Sequence, residues 1–240
     1  MRYVLLLLLL TAPAAAEDSR LAIHLISGSK EYQSETSLKI LQQHLESRYR
    51  VSVTASWVQD GAKNLPGVEH IPNADLLIVF ARRMKLPESQ MAVIRKHWES
   101  GKPIVGVRTS SHAFSNEDNQ IFDRRVMGGN YQGHFGAEDV QVSTAKGAAD
   151  HPVLQGVGKI VSQKMYKTGP LAKNAVLLQN GSIPSKQETH AATWTHRYQG
   201  GRMFYTSLGV PEDFQDEDFL RMIVNAVFWT TKTKAADYQK

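Results

Sequence analysis

The chain has 240 residues, with 28 Lys and Arg against 23 Asp and Glu, a formal net charge of +5 and no cysteine. Without thiols there is no disulfide framework, thiolate metal site or cysteine nucleophile. The cations are scattered, with no basic run and no interleaved aromatics, which gives nucleic-acid binding no support. A chain of this length buries one sizeable core and does not demand a second domain.

The chain opens MRYVLLLLLLTAPAAAED: a cationic Arg2, an apolar run from Val4 to Leu10, and Ala14, Ala15 and Ala16 before the first acid. This is the pattern of a cleaved signal peptide, with an apolar run too short to span a bilayer. Residues 1–16 are read as that peptide, 17–231 as one folded domain and 232–240 as a polar, frayed tail. Cleavage removes Arg2 and no acid, so +5 becomes +4. No later stretch reaches membrane-spanning length, and a soluble periplasmic or secreted protein is expected.

Leu21 to Ser27 reads as an apolar strand running into Gly28, and a helical pattern with Leu38, Leu41 and Leu45 on one face follows. Arg50 to Val58 alternates as a half-covered strand does, and Gly61 to Pro72 is a loop. Ala74 to Phe80 is a continuous apolar strand, and Pro87 to Ser100 carries the first-turn Pro and Glu of a helix. Strands separated by helical stretches predict a parallel sheet covered on both faces. Asn116 to Arg125 is expected to be helical, and Met127 to Gly136 to be a glycine-rich loop. Strands are predicted near Glu138 to Thr144, Ala175 to Asn180, Ala191 to Tyr198 and Arg202 to Leu208. A tight turn at Gln199 to Gly201 makes the last pair antiparallel. Asp216 to Trp229 is the closing amphipathic helix. The fold class is therefore α/β, a three-layer sandwich whose mostly parallel central sheet has an antiparallel C-terminal portion.

The stretch GKPIVGVRTSSHAF, Gly101 to Phe114, is the candidate functional segment. A short buried strand ends abruptly at Arg108, Thr109, Ser110, Ser111 and His112, delivering polar groups to the carboxyl edge where open parallel sheets place ligands. The plainer alternative is that the hydroxyls only cap the next helix. Arg108 offers a planar donor fork. His112 and His134 are candidates to move protons, and Ser110 or Ser111 to donate to or attack a carbonyl. Tyr131, Trp194, Glu212 and Asp213 complete the candidate substrate contacts. Trp194 and Tyr205, on strands, have core packing as their alternative, and His196 and Arg197 are read as solvated. No metal-ligand spacing stands out, although His112 and His134 can converge with Glu212 or Asp213 in space, and no cofactor is indicated.

Five separated stretches together resemble the trehalose-utilisation (ThuA-like) family, a branch of the class I glutamine-amidotransferase-like fold. They are HLISGSKEY, GKPIVGVRTSSHAF, GGNYQGHFG, HPVLQGV and GGRMFYTSLGVPEDFQDEDFLRMIVNAVFW. The resemblance implies a flavodoxin-like single domain and an association with small carbohydrates. The parent fold places a Cys on the turn after a central strand and a His just before a late Pro-Glu. Here Arg108 to Ser111 stand at that turn, and Val210 precedes Pro211 and Glu212. The thiol route to glutamine hydrolysis is therefore not expected. Two readings remain: an exported enzyme acting on a small carbohydrate or its derivative, and a non-catalytic carbohydrate- or partner-binding domain on an enzyme fold.

Mass spectrometry of the processed protein is expected to find an N-terminus near Glu17. An intact Met1 to Ala16 on cytosolic material contradicts the export reading.

Overall fold

The computed structural model describes residues 20–115 and 117–240, so the expected signal peptide lies outside the described residues. Strand β1 (Leu21–Gly28) pairs in parallel with β2 (Val51–Trp57) on one side and β3 (Leu76–Ala81) on the other. Next to β3 come β4 (Ile104–Val107) and then β11 (Gly201–Thr206), still parallel. The sheet continues antiparallel through β10 (Glu188–Tyr198), β9 (Val176–Ile183), β6 (Val140–Thr144) and β7 (Val161–Ser162). The five parallel strands thus follow a flavodoxin-like order, with a switch point between β1 and β3.

Alternation along each strand builds the three layers. In β3, Leu76, Ile78 and Phe80 pack with Leu38, Leu41 and Leu45 of α1 (Ser34–Arg48) and with α4 (Glu217–Thr230). On the other face Leu77, Val79 and Ala81 meet Met91, Ile94 and Trp98 of α2 (Glu88–Glu99). Because both faces are covered, the strand reads as an unbroken apolar run. A short α3 (Glu117–Gln120) continues as a π-helical turn over Ile121–Val126 and covers the α2 face. Among the described residues no helix is long and apolar enough to cross a membrane.

Three local expectations change. The glycine-rich segment is not wholly loop: β5 (Tyr131–His134) pairs with β8 (Tyr166–Thr168) as a separate two-stranded ribbon. Its register shifts between Tyr131 and Gly133, where Gly133 takes a φ of +126° that side-chain-bearing residues rarely adopt. The segment after α4 is tied down rather than frayed. The Arg50 N–H donates to Tyr238 O (2.6 Å), and the Tyr238 ring lies 5.9 Å from Phe228. His196 is buried, not solvated, with Nε2 3.0 Å from Arg125 O. The β10–β11 hairpin turns through Gln199 and Gly200, both left-handed (φ 49° and 77°), as a two-residue turn of this hand requires.

Helix α4 begins at Asp216, whose Oδ1 accepts from the N–H groups of Asp218 (2.7 Å) and Phe219 (3.3 Å). Replacing a cap of this kind by alanine costs about 1 kcal/mol. Asp216→Ala is expected to lose that much in chemical denaturation, and Asp216→Asn much less. An Ala variant as stable as the parent contradicts the cap.

Candidate functional site

The site is built on the turn that follows β4. Every residue of β4 is buried, and the strand ends in Arg108, which adopts a left-handed conformation (φ 44°) unusual for a side chain of its size. Neighbouring strands hold the turn. Tyr205 of β11 donates from Oη to Arg108 O (2.8 Å), and beyond the end of β3 the Arg83 N–H donates to His112 O (2.8 Å). Gly209 closes the remaining side: a Cβ there would lie 2.7 Å from Val107 Cγ1, and its φ of 120° is also one that suits glycine.

The Arg108 side chain is fully buried. Its Nη1 donates to Lys164 O (3.0 Å) and Ser207 O (2.5 Å). The guanidinium carbon lies 4.2 Å from the ring centroid of Tyr32 and 4.5 Å from that of Tyr166, which places the charge against two electron-rich faces. Four residues along, the imidazole of His112 stacks on Tyr131 (4.5 Å, 27° between planes) and meets the edge of Tyr166 (5.4 Å). Burial, and then the charges of Arg82, Arg83 and Arg108 and the nearby His134, lower the pKa of His112 to about 3. At neutral pH this imidazole is uncharged and a weak base.

Among the residues singled out from sequence, Arg108, His112 and Tyr131 converge here, with the exposed His134 beside them. Ser111 Oγ lies 3.1 Å from Nδ1 of His112 and 3.4 Å from Arg108 O. Ser110 turns away: its buried Oγ has no hydrogen-bond partner and sits against Gly106, where an added Cβ would be 2.7 Å from it. Trp194 is a core residue, 1% exposed, donating from Nε1 to Met127 O (2.8 Å) and packed on Tyr205, so it presents no face to this edge. Asp213 is a clamp for the Leu208–Val210 turn. Its Oδ2 accepts from the N–H groups of Gly209 (2.6 Å) and Val210 (3.1 Å) and from Ser162 Oγ (2.9 Å). Burial outweighs those bonds and raises its pKa to about 6. Glu212 is exposed, and Val210 is buried against the core.

The structure adds Tyr32, Arg82, Arg83, Lys164 and Tyr166 to the site. Arg82 and Arg83 follow the apolar run of β3 just as Arg108 follows β4, so the same strand-end signal points to them. Tyr166 carries no such signal; only the pairing of β8 with β5 brings it in.

The depressed pKa of His112 has a consequence for stability. Unfolded, the ring binds a proton near its ordinary value of 6.5; folded, it does not until about pH 3. Acidification through that window favours the unfolded chain, so the parent protein is expected to lose more stability between pH 7 and 4.5 than His112→Gln does. Denaturation series at several pH values check this, and equal slopes contradict it.

A family model described as trehalose utilisation (ThuA) matches residues 23–230. No curated protein matches the chain. Among solved structures, a ThuA-like protein from Parabacteroides merdae superposes with a TM-score of 0.67 at 15% identity, covering 90% of this chain and 92% of its own. One from Bacteroides uniformis gives 0.66 at 15% identity, covering 92% and 95%. A cold-adapted β-galactosidase from Rahnella sp. R3 gives 0.59 at 14% identity, covering 91% of this chain but 32% of its own. With the family model spanning nearly all the described residues, and the flavodoxin-like sheet and strand-end turn in place, the chain belongs to the ThuA (trehalose utilisation) family.

Proposed function

We propose that the protein is an exported binding domain for a small carbohydrate or its derivative, working outside the cytoplasm after loss of residues 1–16. The observation that carries this reading is a buried Arg108 at the strand-end turn, inside a ring of Tyr32, Tyr131, Tyr166 and His112. Half-buried Tyr131 offers an aromatic face of the kind that packs against the apolar side of a sugar ring, and the family's association with trehalose utilisation points the same way.

The chemistry of the turn argues against hydrolysis. A hydroxyl nucleophile needs a base within reach whose pKa lies near the working pH. Ser111 has His112 within 3.1 Å, but that imidazole titrates at about 3, and among the described residues no carboxylate is hydrogen-bonded to the ring to orient or strengthen it. The thiol route has neither a cysteine nor, at Val210, a base before Pro211. The guanidinium at the turn is a hydrogen-bond donor with no acceptor and cannot replace either group.

Calorimetry of the purified domain against a panel of plain and oxidised mono- and disaccharides is expected to show saturable binding without product. Tyr131→Ala, which removes the stacking face, is expected to weaken that binding by roughly tenfold or more. Product formation that disappears in Ser111→Ala overturns the binding reading in favour of an enzyme. Absence of any carbohydrate binding overturns both.

A further inference from the structure

Arg108 is fully buried, yet more than half of its hydrogen-bonding capacity is unspent. Nη1 serves two backbone carbonyls, whereas Nε and Nη2 are buried and have no partner. Those two atoms form one edge of the guanidinium, and their parallel N–H groups match the two oxygens of a carboxylate. Among the described residues no Asp or Glu forms an ion pair with Arg108. Asp213 feels its charge, but Oδ2 of that carboxylate is committed to Gly209, Val210 and Ser162. A buried cation without a counter-charge is held at considerable cost, which contacts to Tyr32 and Tyr166 offset only in part.

The surroundings carry charge of the same sign. Arg82 and Arg83 act on both His112 and Tyr131, and Lys164 Nζ lies 5.3 Å from the Tyr32 ring centroid. Arg82 is shared between Glu31 (3.1 Å) and Asp60 (3.2 Å). Arg83 is exposed, and among the described residues it forms no ion pair. An aromatic surface with a buried donor edge and a cationic rim is complementary to a ligand that has both a hydroxylated body and an anionic end.

We propose that the site takes a sugar acid, an aldonate or uronate, whose carboxylate pairs edge-on with Nε and Nη2 of Arg108 while its hydroxylated body lies against Tyr131 and His112. The assignment rests on the carbohydrate reading above and adds the anionic group. A carboxylate is favoured over a phosphate because it is planar, and the guanidinium edge it must meet is flanked by two aromatic rings. Arg83 steers the anion inward and supplies a second charge at the rim.

Calorimetry with matched ligands tests this: glucose, glucuronate, gluconate, glucose 6-phosphate and benzoate, each at low and at physiological salt. The sugar acids are expected to bind roughly tenfold or more tightly than glucose, with an advantage that shrinks as salt rises. Arg108→Met is expected to abolish that advantage. Should Arg108→Met fail to fold, Arg83→Gln, an exposed change, is expected to reduce it several-fold. Equal affinity for glucose and glucuronate, or a preference for the phosphate, overturns the carboxylate assignment and leaves the carbohydrate reading standing. Benzoate binding as tightly as glucuronate, with no binding of glucose, overturns the carbohydrate reading and leaves the Arg108 pairing standing. Binding of none of them overturns both.

Discussion

The end of β4 combines two unfavourable features in one residue. Arg108 sits in the left-handed region, at a cost on the order of 1–2 kcal/mol for a residue with a Cβ. It also places a permanent charge in the protein interior, where desolvation costs several kcal/mol. Such a residue persists only where its surroundings over-determine it. Here Tyr205 binds its carbonyl, two backbone carbonyls bind Nη1, and the rings of Tyr32 and Tyr166 lie against the guanidinium. These partners come from separated parts of the chain, so the turn can exist only once the sheet has assembled.

The sheet order explains why the partners meet. At the switch point between β1 and β3, connections leave toward opposite faces, and the segments that follow β1, β3 and β4 come together outside the carboxyl ends of the strands. Tyr32 comes from the turn after β1, Arg82 and Arg83 from the end of β3, and Arg108 to His112 from the end of β4. The β5–β8 ribbon adds Tyr131 and Tyr166 from the antiparallel half of the chain. The result is cationic, aromatic and short of bases, a composition suited to holding an anion rather than to activating a nucleophile. That composition is what the proposed recognition role rests on, since the fold itself does not dictate function.

Much of the architecture is legible in the sequence because burial on both faces leaves an unmistakable apolar run, as in Leu76 to Ala81 and Ile104 to Val107. The site is legible to the extent that it lies directly after such runs, which is how Arg108 and His112 stand out. The ribbon is not legible, since four glycines between Met127 and Gly136 mask a strand whose partner lies over thirty residues on, and Tyr166 is invisible for the same reason. Trp194 and His196 illustrate the opposite difficulty. Alternation marks both as strand residues, but only the packing of the π-helical turn shows that Met127 and Arg125 carbonyls engage their ring nitrogens inside the core. Tyr238 shows it again: a polar tail is held by an aromatic contact with Phe228 and by backbone bonds to Arg48 and Arg50 that composition does not reveal.

Whether the unspent edge of Arg108 is a recognition element is decided by a crystal structure of the domain with gluconate or glucuronate. Both carboxylate oxygens are expected within hydrogen-bond distance of Nε and Nη2 of Arg108, with the sugar hydroxyls alongside Tyr131 and His112. A sugar acid seated away from Arg108, or one that reaches only Arg82 and Arg83 at the rim while the Arg108 edge stays unpaired, would contradict it.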